Sequence, residues 1–187
     1  MIDGLCLRGP NLPSEDFFGM SDRELSDIIT YVTAQPPVDK EVPPPTLGPV
    51  GTFLMATGEI RISAERLPDH TKAHAVEPPT PEPTADFGKH LAQVCTGCHR
   101  SDLSGGPIPG GDPSWPPARN ITPHAEGLPE YRFEEFLALI REGKTRSGQP
   151  VKAPMAQITA YGKNMTEVEV KALYSFLVSV PPKPTSK

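Results

Sequence analysis

The stretch Cys95-Thr96-Gly97-Cys98-His99 decides how this chain is read. Two thiols three residues apart at the end of a helix can add to the two vinyl groups of one haem. The next residue then places an imidazole under the iron. This spacing is the pattern of c-type haem attachment. A zinc half-site is the competing reading. Zinc needs a compact tetrahedral set, and Cys6, His90 and His124 are available but form no second paired motif. A thioredoxin-like redox pair would need a βαβ context, which the sequence lacks.

Working outward, Thr84 to Val94 reads as a helix, with Phe87, Leu91 and Val94 on one face. Phe133, Phe136, Leu137 and Ile140 repeat the helical spacing and stop near Gly143. Thr166 with Glu169 forms a capping box ahead of Val170, Leu173, Tyr174 and Leu177, and Pro181-Pro182 end that helix. No segment alternates at period two, so the fold class is all-α. A haem iron in an electron carrier needs a second strong ligand, and a thioether raises the potential. Met155 and Met165 are the candidates. Met155 follows Pro154 in a loop, where its sulfur is able to reach the iron, whereas Met165 adjoins the cap Thr166. Met155 is the favoured ligand.

The amino-terminal part repeats the last helix. Ser21 with Glu24 is a second capping box, followed by Leu25, Ile28, Ile29 and Val32 and stopped by Pro36-Pro37. A shift of 145 places Met20 on Met165, Ser21 on Thr166, Leu25 on Val170, Ile28 on Leu173, Tyr31 on Phe176 and Val32 on Leu177, and the proline pairs coincide. Between these parts, residues 36–83 hold 11 prolines, which makes an extended linker. Its middle, Leu47 to Ala56, has the composition of a short apolar turn or helix that docks on a neighbour.

Composition agrees with a small core completed by a bound group. The chain has 187 residues, of which 25 are proline and 16 glycine; together these are about 22%, against about 12% in an ordinary globular chain. Hydrophobic residues make up 36% and aromatics 6%, lean for a self-sufficient core. The net charge of -5 argues against nucleic-acid binding and is compatible with a basic redox partner. The most apolar window, Leu47 to Ile62, is interrupted by Gly48, Pro49, Gly51, Gly58, Glu59 and Arg61, so no membrane span is read. Met1 to Pro10 shows no signal peptide.

From about residue 84 to 182 the chain resembles a class I c-type cytochrome, specifically the tandem cytochromes of bacterial membrane-bound dehydrogenases and related respiratory routes. The resemblance rests on Cys95–His99, Leu103-Ser104-Gly105-Gly106-Pro107, Asn120-Ile121-Thr122-Pro123, Phe133 to Gly143, Pro154-Met155 and Tyr174 to Pro182. It implies three to five helices around one haem c. Cys95 and Cys98 would carry the thioether bonds, with His99 proximal and Met155 distal on the iron. A carbonyl of Pro107 or Pro109 would accept the other ring N–H of His99. Gly88 would let the first and last helices cross closely, near Tyr174. Trp115, Arg119 and Asn120 would reach the haem propionates. Ala156 follows Met155 where the family usually has proline.

The implied organisation is a cytochrome-like remnant without a haem motif at 1–40, a proline-rich linker at 41–83, a cytochrome c domain at 84–182 and a tail at 183–187. Leu12-Pro13 falls where a Met-Pro pair is expected. The implied function is one-electron transfer between redox partner proteins rather than enzymatic catalysis. The alternatives are a haem sensor or peroxidase-like protein with an open distal site, and a zinc-stabilised interaction module. Covalent haem attachment in the family occurs outside the cytoplasm, so the expected location is the periplasm or the outer face of the cytoplasmic membrane. The expected product starts upstream of Met1. His70, His74, His90 and His124 are expected at the surface, and Cys6 as a lone thiol.

Overall fold

Side-chain caps at Ser21, Thr84 and Thr166 fix where three of the helices start. A computed structural model of the chain describes residues 17–40, 48–59, 71, 73–108, 111–112, 114–128 and 131–187. Cys6, Leu12, His70 and Pro109 lie outside these residues. Among the described residues there are helices and two isolated β-bridges but no strand. The chain divides into two compact units, Met1–Pro78 and Pro79–Lys187.

In the first unit, α1 (Asp22–Thr33) begins at a complete capping box. Glu24 Oε2 accepts from the Ser21 backbone N–H at 2.8 Å, and Ser21 Oγ accepts from the Glu24 N–H at 3.2 Å. The amides of Asp22 and Arg23 would otherwise be orphans of the first turn. They donate to the carbonyls of Ala75 and Val76 at 2.8 and 3.1 Å. The returning chain thus straps the start of α1. His74 is part of this strap rather than a solvated surface group. Its Nδ1 lies 2.9 Å from the Met20 carbonyl, and its ring meets Phe18 edge-on. The apolar stripe of α1 buries none of its residues. α2 (Pro49–Ala56) forms in the linker where an apolar turn or helix is expected, and it too buries none of its residues.

In the second unit, α3 (Ala85–Leu91) starts at Thr84, whose hydroxyl accepts from the Phe87 N–H. The chain then tightens into a 3-10 turn (Ala92–Cys95) and re-forms α4 (Thr96–His99). Three residues per turn instead of 3.6 changes the phase of the stripe. Val94, expected on the same face as Phe87 and Leu91, is therefore 67% exposed. α5 (Phe133–Glu142) ends on Gly143 in the left-handed region, φ 64°. Then come α6 (Met155–Gly162) and α7 (Glu167–Ser179).

The core is a cluster of Ala92, Leu103, Phe136, Val170, Leu173 and Leu177, with Cys95 and Met165 packed against it. α3 and α7 make the most extensive helix–helix contact. A Cβ on Gly88 would overlap the Ala172 carbonyl, so the absence of a side chain at position 88 is what allows the crossing. Tyr174 turns the other way, against Phe133 and Phe136, and its hydroxyl donates to the Tyr131 carbonyl at 2.8 Å.

Candidate haem-attachment site

Cys95 closes the 3-10 turn, and Cys98 and His99 lie on α4. The short helical segments bring all three together at the edge of the core. The thiols are half-buried and no disulfide joins them. Burial, and secondarily the nearby Cys98, push the Cys95 thiol up to about 11, so it is held protonated at neutral pH.

His99 Nδ1 lies 2.7 Å from the backbone carbonyl of Arg119. A carbonyl accepts only, so Nδ1 carries the proton and Nε2 is the nitrogen left with a lone pair. Burial holds the imidazole below its ordinary pKa, against the opposing pull of the Arg119 carbonyl, and so favours the neutral ring that a metal requires. The acceptor is therefore Arg119 rather than Pro107. The reason lies in the loop. Gly106 and Ala118 exchange both backbone hydrogen bonds at 2.9 Å, and Ile121 N–H donates to the Leu103 carbonyl at 2.9 Å. This lays residues 118–121 beside the motif. Gly105, at φ 71°, permits the approach, because a Cβ there would meet the main chain of Ala118 and Arg119. Leu103 also has positive φ, 64°, and is held there with its side chain in the core.

Of the other expected site residues, Met155 is half-buried at the first position of α6, on a helix rather than in the expected loop. Asn120 is 1% exposed and its carboxamide is committed internally. Nδ2 donates to the Lys183 carbonyl at 2.7 Å, and Oδ1 accepts from the Thr122 N–H at 2.9 Å. It serves the loop and the tail. Arg119 contributes its main chain, and Trp115 is 38% exposed, lining a shallow recess with Ile108 and Pro117. Among the described residues no three His, Cys, Asp or Glu side chains are grouped to hold a metal ion, as a zinc site would require. Sequence reasoning missed the Arg119 carbonyl and the tail. The one available signal was Gly105-Gly106, which marks a close backbone approach without naming its partner.

Two adjacent thiols, a neutral imidazole with one nitrogen spoken for and a lean apolar core define a protein that fits covalent haem. A family model for cytochrome c matches residues 85–181. The chain belongs to the cytochrome c family, and with that come covalently bound haem c and haem-based electron transfer in general. A comparison with curated proteins returns no significant match.

Proposed function

We propose that this chain transfers single electrons through one haem c, held by Cys95 and Cys98 and ligated by His99 Nε2 and Met155 Sδ. The observation that carries this is the 2.7 Å contact from His99 Nδ1 to the Arg119 carbonyl, beside two half-buried thiols. When bound, the haem supplies the one-electron couple. The chain's own work is to hold one tautomer of His99, exclude water with the Phe136–Leu173 core and present a thioether. With both an imidazole and a thioether committed, no coordination position is left for a substrate, so we read a carrier rather than an enzyme. We place it on the periplasmic side of a bacterial cytoplasmic membrane, between redox partner proteins.

The test is maturation of the chain behind an export signal in a host that attaches haem. The unaltered protein gains the mass of one haem and stains for haem after denaturation. Cys95→Ala with Cys98→Ala loses the covalent pigment. Met155→Ala keeps the pigment but loses the methionine–iron charge-transfer band of the ferric form. Colourless unaltered protein overturns the reading; a Met155→Ala spectrum identical to the parent overturns the distal ligand alone.

We further read residues up to 40 as carrying the closing helix of a second cytochrome-like unit. The two capping boxes support this: Ser21 and Thr166 share extended caps with ψ 161° and the same reciprocal bonds to Glu24 and Glu169.

A further inference from the structure

The tail beyond α7 does not trail into solvent. Pro181-Pro182 direct it back over the loop that supplies the acceptor for His99. Lys183 is held twice: its carbonyl accepts from Asn120 Nδ2 at 2.7 Å, and its N–H donates to Thr122 Oγ1 at 3.2 Å. Lys183 Nζ meets Asp102 Oδ2 at 3.3 Å. The Thr185 N–H donates to Glu126 Oε2 at 2.8 Å, and Ser186 Oγ lies 2.7 Å from Ser104 Oγ. A Cβ on Gly106 would run into the Ser186 carbonyl, so the tail lies directly on the glycine loop.

Three of the loop groups involved are almost wholly buried: Asn120 and Ser104 at 1% and Thr122 at 0% exposure. Thr122 Oγ1 and Ser104 Oγ also have partners within the loop, donating to Asn120 Oδ1 at 2.8 Å and Asp102 Oδ1 at 2.6 Å. The Asn120 Nδ2 group finds its 2.7 Å acceptor in the tail, and an unpaired buried polar group costs about 1–3 kcal/mol. Arg119 sits between two clamped neighbours. Ala118 is bridged to Gly106, and Asn120 is tied to Lys183. The peptide unit between them bears the carbonyl that orients His99.

We propose that Asn120 and residues 183–186 form a latch that positions the Arg119 carbonyl, and through it the His99 imidazole. Asn120 is a positioning residue: it touches the tail and Thr122. This rests on the haem reading given above. A ring N–H held firmly by an acceptor makes the imidazole a more basic ligand. A more basic ligand favours the ferric state, so releasing the latch raises the midpoint potential. Simple loosening that admits water would lower it, because solvent stabilises the more highly charged ferric centre.

The experiment compares the haem-loaded parent with Asn120→Ala and a chain ended at Pro182. Both variants should shift the midpoint potential upward. The truncated Asn120→Ala double variant should shift it no further than either change alone, since both cut one coupling. Thr166→Ala, which weakens a helix remote from the loop, should lower the melting temperature and leave the potential in place. Unmoved potentials in all the variants, a downward shift, or additive shifts would overturn the latch. If Asn120→Ala fails to mature, carboxypeptidase trimming of the folded parent tests the same point. If the parent carries no haem, the haem reading has failed, and hydrogen exchange still decides the latch. The Gly106 and Ile121 amides should then exchange faster once the tail is removed, and unchanged exchange would overturn it.

Discussion

His99 depends on a neighbour through that neighbour's main chain. The Arg119 side chain is exposed, while its carbonyl carries the bond to Nδ1. Arg119→Ala should therefore leave the melting temperature and the His99 Nδ1–H proton resonance close to the parent's. Gly105→Ala should do the opposite. A side chain at φ 71° costs roughly 1–2 kcal/mol. Overlap with the Ala118 and Arg119 backbone adds about 1–3 kcal/mol. Urea unfolding of the two variants and the proton resonance check this; equal effects from both would contradict it.

α1 and α7 start from the same local code and end differently. Each has a complete capping box, but α7 buries Val170, Ala172, Leu173 and Leu177, whereas α1 buries none of its residues. Caps set where a helix begins, and tertiary cover sets how strongly it is held. The shift of 145 also places Asp27 where α7 has the fully buried Ala172. A helix crossing α1 as closely as Gly88 approaches Ala172 would bury a carboxylate there. Asp27 instead faces Arg23 in an exposed pair at 3.5 Å. At the α3–α7 crossing, Gly88→Ala should destabilise the second unit. Alanine's helical advantage of about 1 kcal/mol is outweighed by an overpacking cost of about 1–3 kcal/mol. A rise in the urea midpoint would show that the crossing has room.

For the molecule as a whole, the tail ties together segments far apart in the sequence, and two of its anchors are carboxylates. Hydrogen bonds from Ser104, then the charge of Lys183, hold Asp102 below its ordinary value. The Thr185 N–H, with a smaller pull from His124, does the same for Glu126. A lowered carboxylate contributes stability that is complete above its unfolded pKa and is lost as pH falls through the folded one. Tail cleavage by an acid-active carboxypeptidase should therefore accelerate below the ordinary carboxylate range and be flat from there to neutrality. Equal cleavage rates across that range would exclude the two carboxylates as anchors. α1, α3, α5, α7 and the haem motif were legible because caps, stripes and the Cys95–His99 spacing are local patterns, whereas α6 begins without a side-chain cap. The phase change at Val94 was not, since a tightening of about 0.6 residue per turn leaves no compositional mark. The contacts among Arg119, Asn120 and the tail were not either, because they join positions about 60 apart, or use atoms that every residue possesses. That last point reaches past this one chain. A ligand steered by a peptide oxygen leaves position 119 open to drift among relatives, while the glycines beneath it and the asparagine beside it are the letters that natural variation would hold still.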